Sequence, residues 1–169
     1  CAAIRLAAQT PGPVYIRMGR ASVPAVYAPE VQLEMGKAYV LREGSDVTII
    51  ACGVEIDQAL KAADLLEQKG ISAEVIDAFC VKPLDAQTIL ASLEKTGCSV
   101  VAEEHSVYGG LCSAVSELVA ENHPYPLQFV GMRDRFGKSG EFEELLHYFE
   151  LDAEAIVQAV EKVRSRLDD

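Results

Sequence analysis

The sequence predicts an α/β fold: a mostly parallel five-stranded sheet with one antiparallel edge strand and helices on both faces. Three observations predict it. The run "VTIIAC" (47–52) is almost continuously apolar, as in a strand buried on both faces. From that run onward, strand-like and helix-like segments alternate as βαβαβαβ, which favours right-handed crossovers and parallel pairing. Two of the helical segments end in a glycine, Gly70 and Gly97, where a left-handed residue closes a helix.

Each element has its own signal. "AAIRLAAQ" (2–9) reads as the end of a helix, and "TPGP" breaks it. "VYIRMG" (14–19) alternates like a strand. The segment from Arg20 to Gly36, with Pro24 and Pro29, has no clear period and reads as an extended linker. "KAYVLRE", "GSD" and "VTIIACG" read as a β-hairpin with a short turn. In residues 55–69, Ile56, Ala59, Leu60, Ala63 and Leu66 fall on one helical face. "SAEVIDAF" is the next strand, and "KPLD" stops it. "DAQTILASLEKTG" follows as a helix, "SVVAEE" as a strand, "LCSAVSELVAEN" as a helix and "PLQFVGM" as a strand. Two terminal helices close the chain, "EFEELLHYF" and "DAEAIVQAVEKVRSRL", the latter capped by Asp152.

Composition limits the functions open to the chain. The 169 residues suit one domain with an extra piece attached, and half are hydrophobic. The net charge of −11 opposes nucleic acid and anionic lipid, so neither is an expected partner. No apolar run reaches the length of a membrane span, and "CAAIRLAAQTPGPVY" does not read as a secretory signal. The five cysteines, Cys1, Cys52, Cys80, Cys98 and Cys112, form no CxxC pair, and their number is odd. Buried free thiols in a reducing, cytoplasmic setting are expected. Cys52 reads as a small buried hydrophobe. Lys82 follows a strand, but nothing beyond that position supports a Schiff-base role. The three histidines are far apart in sequence, so no metal site is expected.

Three stretches could carry chemistry. In "AEEHSVYGG", Glu103, Glu104 and His105 end a strand, where ligand groups gather in open α/β sheets. Neighbouring strand residues face opposite ways, so at most two of the three converge. Gly109 and Gly110 let the chain turn sharply into a helix, and a structural joint or interface is the stronger reading. In "YIRMGR", Arg17 and Arg20 stand out in an acidic chain and could hold a phosphate. In "DRFGKSGEFEELL", Ser139 and Gly140 precede a helix whose first turn holds Glu141, Glu143 and Glu144. Those acids favour the helix dipole and repel anions, so capping is expected, with a packing loop as the alternative.

Taken in order, "GPVYIRMGR", "GSDVTIIACGVEIDQALKAADLLEQKGISAEVIDAFCVKPLD", "AEEHSVYGGLCSAVSELVAEN" and "DRFGKSGEFEELL" resemble the C-terminal section of transketolase. The likeness is greatest to split forms, in which a separate subunit carries that section. It implies that residues 1–27 are the tail end of a pyrimidine-binding domain, 28–35 a linker and 36–169 the transketolase C-terminal domain. It implies a complete enzyme that is a homodimer, uses thiamine diphosphate and magnesium, and transfers a two-carbon ketol unit between sugar phosphates. An N-terminal thiamine diphosphate-binding domain or subunit would be the partner. No Gly-Asp-Gly occurs here, so no cofactor is expected on this chain alone, and no catalytic residue. By the resemblance, Arg20 in "RASVP" matches the arginine that grips the sugar phosphate, with Arg17 the weaker candidate. Glu103, Glu104, His105, Gly109 and Gly110 become an interface or structural turn. In 1-deoxyxylulose 5-phosphate synthase the arginine motif usually reads like "YPRG", whereas this chain has "RMGRAS". The β subunits of 2-oxoacid dehydrogenases usually lack the "EEHS" turn. An assembly module with no ligand is the remaining alternative.

Overall fold

All five residues of Val47–Ala51 (β2) are buried, because this strand takes a parallel partner on each side and is covered on both faces. The computed structural model describes residues 2–167; Cys1 lies outside them. Its further elements are α1 (Ala2–Gln9), β1 (Tyr39–Arg42), α2 (Glu55–Gln68), β3 (Ala73–Asp77), α3 (Ala86–Thr96), β4 (Ser99–Ser106), α4 (Leu111–Glu121), β5 (Leu127–Met132), α5 (Phe142–Tyr148) and α6 (Ala153–Arg164). The sheet has five strands in the order β1-β3-β2-β4-β5, parallel except for β1.

Period-two alternation divides the core. Val47, Ile49 and Ala51 of β2, with Val100 and Ala102 of β4, pack against α2 and α6. Ile50 and Cys52, with Val101, pack against Ile89 and Leu93 of α3 and Leu111, Cys112 and Val115 of α4. A fully buried leucine or isoleucine is worth about 1.5–3 kcal/mol relative to exposure, so these two layers dominate stability. On α2, Ile56, Ala59, Ala63 and Leu66 are buried and Leu60 is packed against them, matching the helical face read from the sequence. Asp152 caps α6 by accepting from Ala155 N at 2.9 Å. Gly70 and Gly97 follow α2 and α3 with φ of 75° and 76°.

Three local expectations are corrected. First, β1 and β2 do not form a hairpin, because β3 lies between them. The chain reaches β1 at the carboxyl edge of the sheet, so β1 runs down beside β3 and must be antiparallel to it. The β1–β2 connection then crosses the start of β3. Ser45 N and Asp46 N both donate to Ser72 O, and Ser72 N donates to Asp46 Oδ2 at 2.7 Å. A Cβ on Gly44 would lie 2.2 Å from both Ala73 C and Glu74 N. The apolar alternation was read correctly, but "GSD" is a crossing and not a turn.

Second, residues 14–19 form no strand, since no strand of the sheet pairs with them. Third, Ser139 does not cap α5. The cap position is Glu141, without a side-chain bond, and Gly140 packs against Leu145, which is the packing-loop alternative.

At the opposite edge, β5 has no outer strand partner among the described residues. Arg133 donates to Phe129 O at 2.9 Å and Arg166 to Leu127 O at 3.1 Å. These guanidinium groups occupy carbonyls that an exposed edge would offer to another strand. Among the described residues no helix is long and apolar enough to cross a membrane.

Gly44→Val should destabilise the chain by several kcal/mol, because its side chain must displace backbone rather than a flexible neighbour. Thermal melting measures this. A melting temperature equal to the parent's would mean that the β1–β2 connection can lift off β3 at no cost.

Candidate functional site

A strap of irregular chain, residues 10–38, crosses the carboxyl edge of the sheet, and its anchors follow the strand order. At the end of β4, Arg17 Nη1 donates to Glu104 O at 2.9 Å and Arg17 Nη2 pairs with Glu103 Oε1 at 3.1 Å. Gly19 comes next, lying against Val54 after β2; a Cβ there would be 3.1 Å from Val54 Cγ2 and 3.7 Å from Glu104 Oε2. At the end of β3, Tyr27 donates to Asp77 Oδ2 at 2.7 Å. Met35 accepts a contact from Cys80 Sγ at 3.5 Å, and Gly36 lies beside Pro83.

The "EEH" stretch is divided by the strand period. Glu103 continues the Val101 side and meets the start of α4. Its Oε2 accepts from Leu111 N at 2.7 Å, an anion at a helix N-terminus. Glu104 points the other way, towards Gly19 and Val54. His105 returns to the Glu103 side, with Nδ1 at 3.8 Å from Glu103 Oε2 and 2.8 Å from Ser106 O. Two of the three residues therefore share a side. The turn that follows needs its glycines. Gly109 has φ of 79°, and a Cβ on Gly110 would sit 2.3 Å from Glu103 Oε2 and 2.6 Å from His105 Nδ1. The charge-assisted bonds to Glu103 are worth roughly 1.5–3 kcal/mol each, less on the half-exposed Arg17 side.

The two arginines have different surroundings. Arg17 is committed to Glu103 and Glu104, whereas Arg20 is exposed and has no hydrogen-bond or ion-pair partner among the described residues. Arg17 is held at the carboxyl edge, and Arg20 follows three residues on along the strap.

Sequence reasoning missed three polar groups at this edge. Glu55, at the start of α2, is fully buried, and among the described residues neither of its carboxylate oxygens has a partner. Burial pushes its carboxyl up to about 8, and the negative charges of Glu104 and Asp152 add to the shift. Asp77 is also raised by burial, against the hydrogen bond from Tyr27, and its Oδ1 is unpaired. The Tyr27 hydroxyl is raised in turn by burial and by Asp77. The available signal was position: Asp77 closes the buried strand β3, and Glu55 opens the helix that follows β2. Nothing in the sequence marks Tyr27 as their neighbour.

Cys52, Cys80, Cys98 and Cys112 are free and buried, and burial raises the Cys52, Cys98 and Cys112 thiols. Lys82 lies in the loop after β3, and His123 stacks near Tyr125. His147 has a partner the sequence did not suggest. Its Nδ1 is 2.7 Å from Asp152 Oδ2, and Glu154 lies close by. The pair joins the end of α5 to the cap of α6, and the bond to Asp152 raises His147.

Fold and edge together define an open α/β domain with a mixed five-stranded sheet. Residues 36–156 match the family described as "Transketolase, C-terminal domain", and the chain belongs to that family. It is 46% identical to a protein named 6-deoxy-6-sulfo-D-fructose transketolase subunit SqwH from Clostridium sp. (strain MSTE9), over 92% of this chain and 48% of that protein. It is 42% identical to a 1-deoxy-D-xylulose-5-phosphate synthase from Thermomicrobium roseum, over 86% of this chain and 24% of that protein. A solved structure described as "Split gene transketolase, inactive beta4 tetramer" superposes with a TM-score of 0.94 at 46% identity, covering 97% of this chain and 54% of the other. The chain spans about half the length of the transketolase-subunit relatives it matches.

Glu55 makes stability depend on pH. Its carboxyl is protonated in the fold up to about pH 8 but ionises near 4.5 when unfolded. The unfolded state therefore loses its proton first, and Glu55 lowers stability progressively from about 4.5 to 8. Glu55→Gln cannot ionise, so its melting temperature should gain on the parent's between pH 5 and pH 8.5. A constant difference across that range would show that Glu55 finds a compensating partner.

Proposed function

We propose that this chain is the C-terminal part of a transketolase, which in the complete enzyme moves a two-carbon ketol unit between sugar phosphates. The observation that carries this reading is Arg20: an exposed guanidinium, without a partner among the described residues, on the strap of an acidic domain. There it could take an anionic substrate group. Arg17, three residues before it, is the weaker candidate, because its guanidinium is already held by Glu103 and Glu104 O. The names of the transketolase-subunit relatives support the class of reaction, and the "RMGRAS" text favours transketolase over the synthase.

In this reading residues 1–27 end the pyrimidine-binding domain, 28–35 link, and 36–169 form the C-terminal domain. Tyr15 is 87% exposed and Met18 72% exposed on the strap, an apolar surface that an N-terminal domain or subunit would cover. Glu103, Glu104, His105, Gly109 and Gly110 serve as the joint between the strap and α4. A homodimeric complete enzyme in the cytoplasm agrees with the buried free thiols. The split-gene relative's description as an inactive β4 tetramer supports assembly of such chains and dependence on a partner for activity.

Thiamine diphosphate supplies carbanion stabilisation in such enzymes, but the residues here do not fit it. The side chains at the strand ends are carboxyl groups, Glu55, Asp77, Glu103 and Glu104, and the Arg17 guanidinium among them is already committed to Glu103 and Glu104 O, so they build no donor set for a diphosphate. The cofactor is therefore assigned to the partner. Calorimetric titration of this chain with thiamine diphosphate and magnesium should give no heat. Binding at ~1 μM, about −8 kcal/mol, would overturn that assignment.

Arg20→Ala in the complete enzyme tests the central reading. KM for a phosphorylated sugar should rise about tenfold to a hundredfold, as for loss of a charge-assisted bond, with little change for an unphosphorylated one. Equal effects on both substrates would leave only an assembly role.

A further inference from the structure

We infer that Glu103 and Arg17 form a latch that positions Arg20 for the substrate phosphate, without touching the substrate themselves. The inference rests on Arg20 being the phosphate ligand. The two oxygens of Glu103 are divided. Oε2 is held by Leu111 N at the start of α4, which turns Oε1 towards the strap. Gly110 permits this, since any side chain there would strike Oε2. The carboxylate is 5% exposed, anchored in a helix and a central strand, and hence a rigid post.

Arg17 spans from that post to the strap with both terminal nitrogens, one on Glu103 and one on Glu104 O. Two contacts fix the direction of the side chain as well as its distance. Two residues on, Gly19 lies flat against Val54. Arg20 follows immediately, so its backbone is held on one side by the latch and by the Gly19 contact. Arg20 itself has no partner among the described residues that could fix it. Its placement depends on its neighbours, and precise placement of a binding group is worth large factors in recognition.

The test uses the complete enzyme with Arg17→Met, Glu103→Gln, Arg20→Ala and the double variant of Arg17→Met with Arg20→Ala. KM is compared for a phosphorylated and an unphosphorylated sugar, with melting temperature as a folding control. Arg17→Met and Glu103→Gln should each raise the phosphorylated-to-unphosphorylated KM ratio about three- to tenfold, with kcat on the unphosphorylated sugar retained. In the Arg20→Ala background, Arg17→Met should add nothing, because it acts only through Arg20. An additive effect would overturn the latch and make Arg17 a direct ligand. If Glu103→Gln fails to fold, the half-exposed Arg17 still carries the test. Should Arg20→Ala itself leave the ratio unchanged, the phosphate-grip reading fails and takes the latch with it. A readout independent of activity is trypsin cleavage after Arg20 in this chain alone. Arg17→Met should quicken it severalfold, and an unchanged rate would count against the latch.

Discussion

The buried carboxylate of Glu103 is the point through which the parts of this molecule are connected. It lies in the second half of β4, receives the first N–H of α4 and holds the arginine of the strap. An ionised group so deeply placed needs partners, since an unpaired charge there would cost several kcal/mol. The fold supplies them from two directions, a helix terminus and a guanidinium. The close turn at Gly110 follows from that need, because the helix must start within reach of the strand end. The path of the strap follows too, since its arginine has to arrive on the same side.

Much of the fold was legible in the sequence, and the reasons are local. The unbroken apolar run of β2, the spacing of Ile56, Ala59, Ala63 and Leu66, and Asp152 before α6 each record a requirement met within a few residues. The hairpin expected from 37–53 shows where this limit lies. Strand partners are chosen by the whole sheet, and β3, with its own crossover, takes the place beside β2. Gly44 was visible as a glycine, but its need for a bare backbone arises from Ala73 and Glu74, about thirty residues on. The site divides in the same way. Period-two logic showed that Glu103, Glu104 and His105 cannot all converge. That Arg17 reaches Glu103 across 86 residues was beyond any local pattern.

The acidity of the chain acquires a location in the structure. Glu55, Asp77, Glu103 and Glu104 gather where the strands end, in the crevice that open α/β sheets commonly use for ligands. In this domain that crevice is closed by the strap and by the chain's own carboxylates. The positive groups that remain available lie on the strap itself. The fold thus keeps the architecture of a ligand-binding domain, while its carboxyl edge serves to hold a neighbouring segment.

The antiparallel edge strand has a consequence for the order of events in folding. β1 pairs only with β3, and its connection to β2 lies over a strand that must already be in place. The parallel core of β2 to β5 with α2, α3, α4 and α6 meets β1 along the β3 edge and through Arg42, which reaches the exposed Asp64 and Glu67 of α2. Residues 2–42 are held by one strand ladder and by scattered side-chain anchors, so they can dock late and undock as a unit. Amide exchange would then fall into two tiers along the chain, with the boundary at the Gly44 crossing.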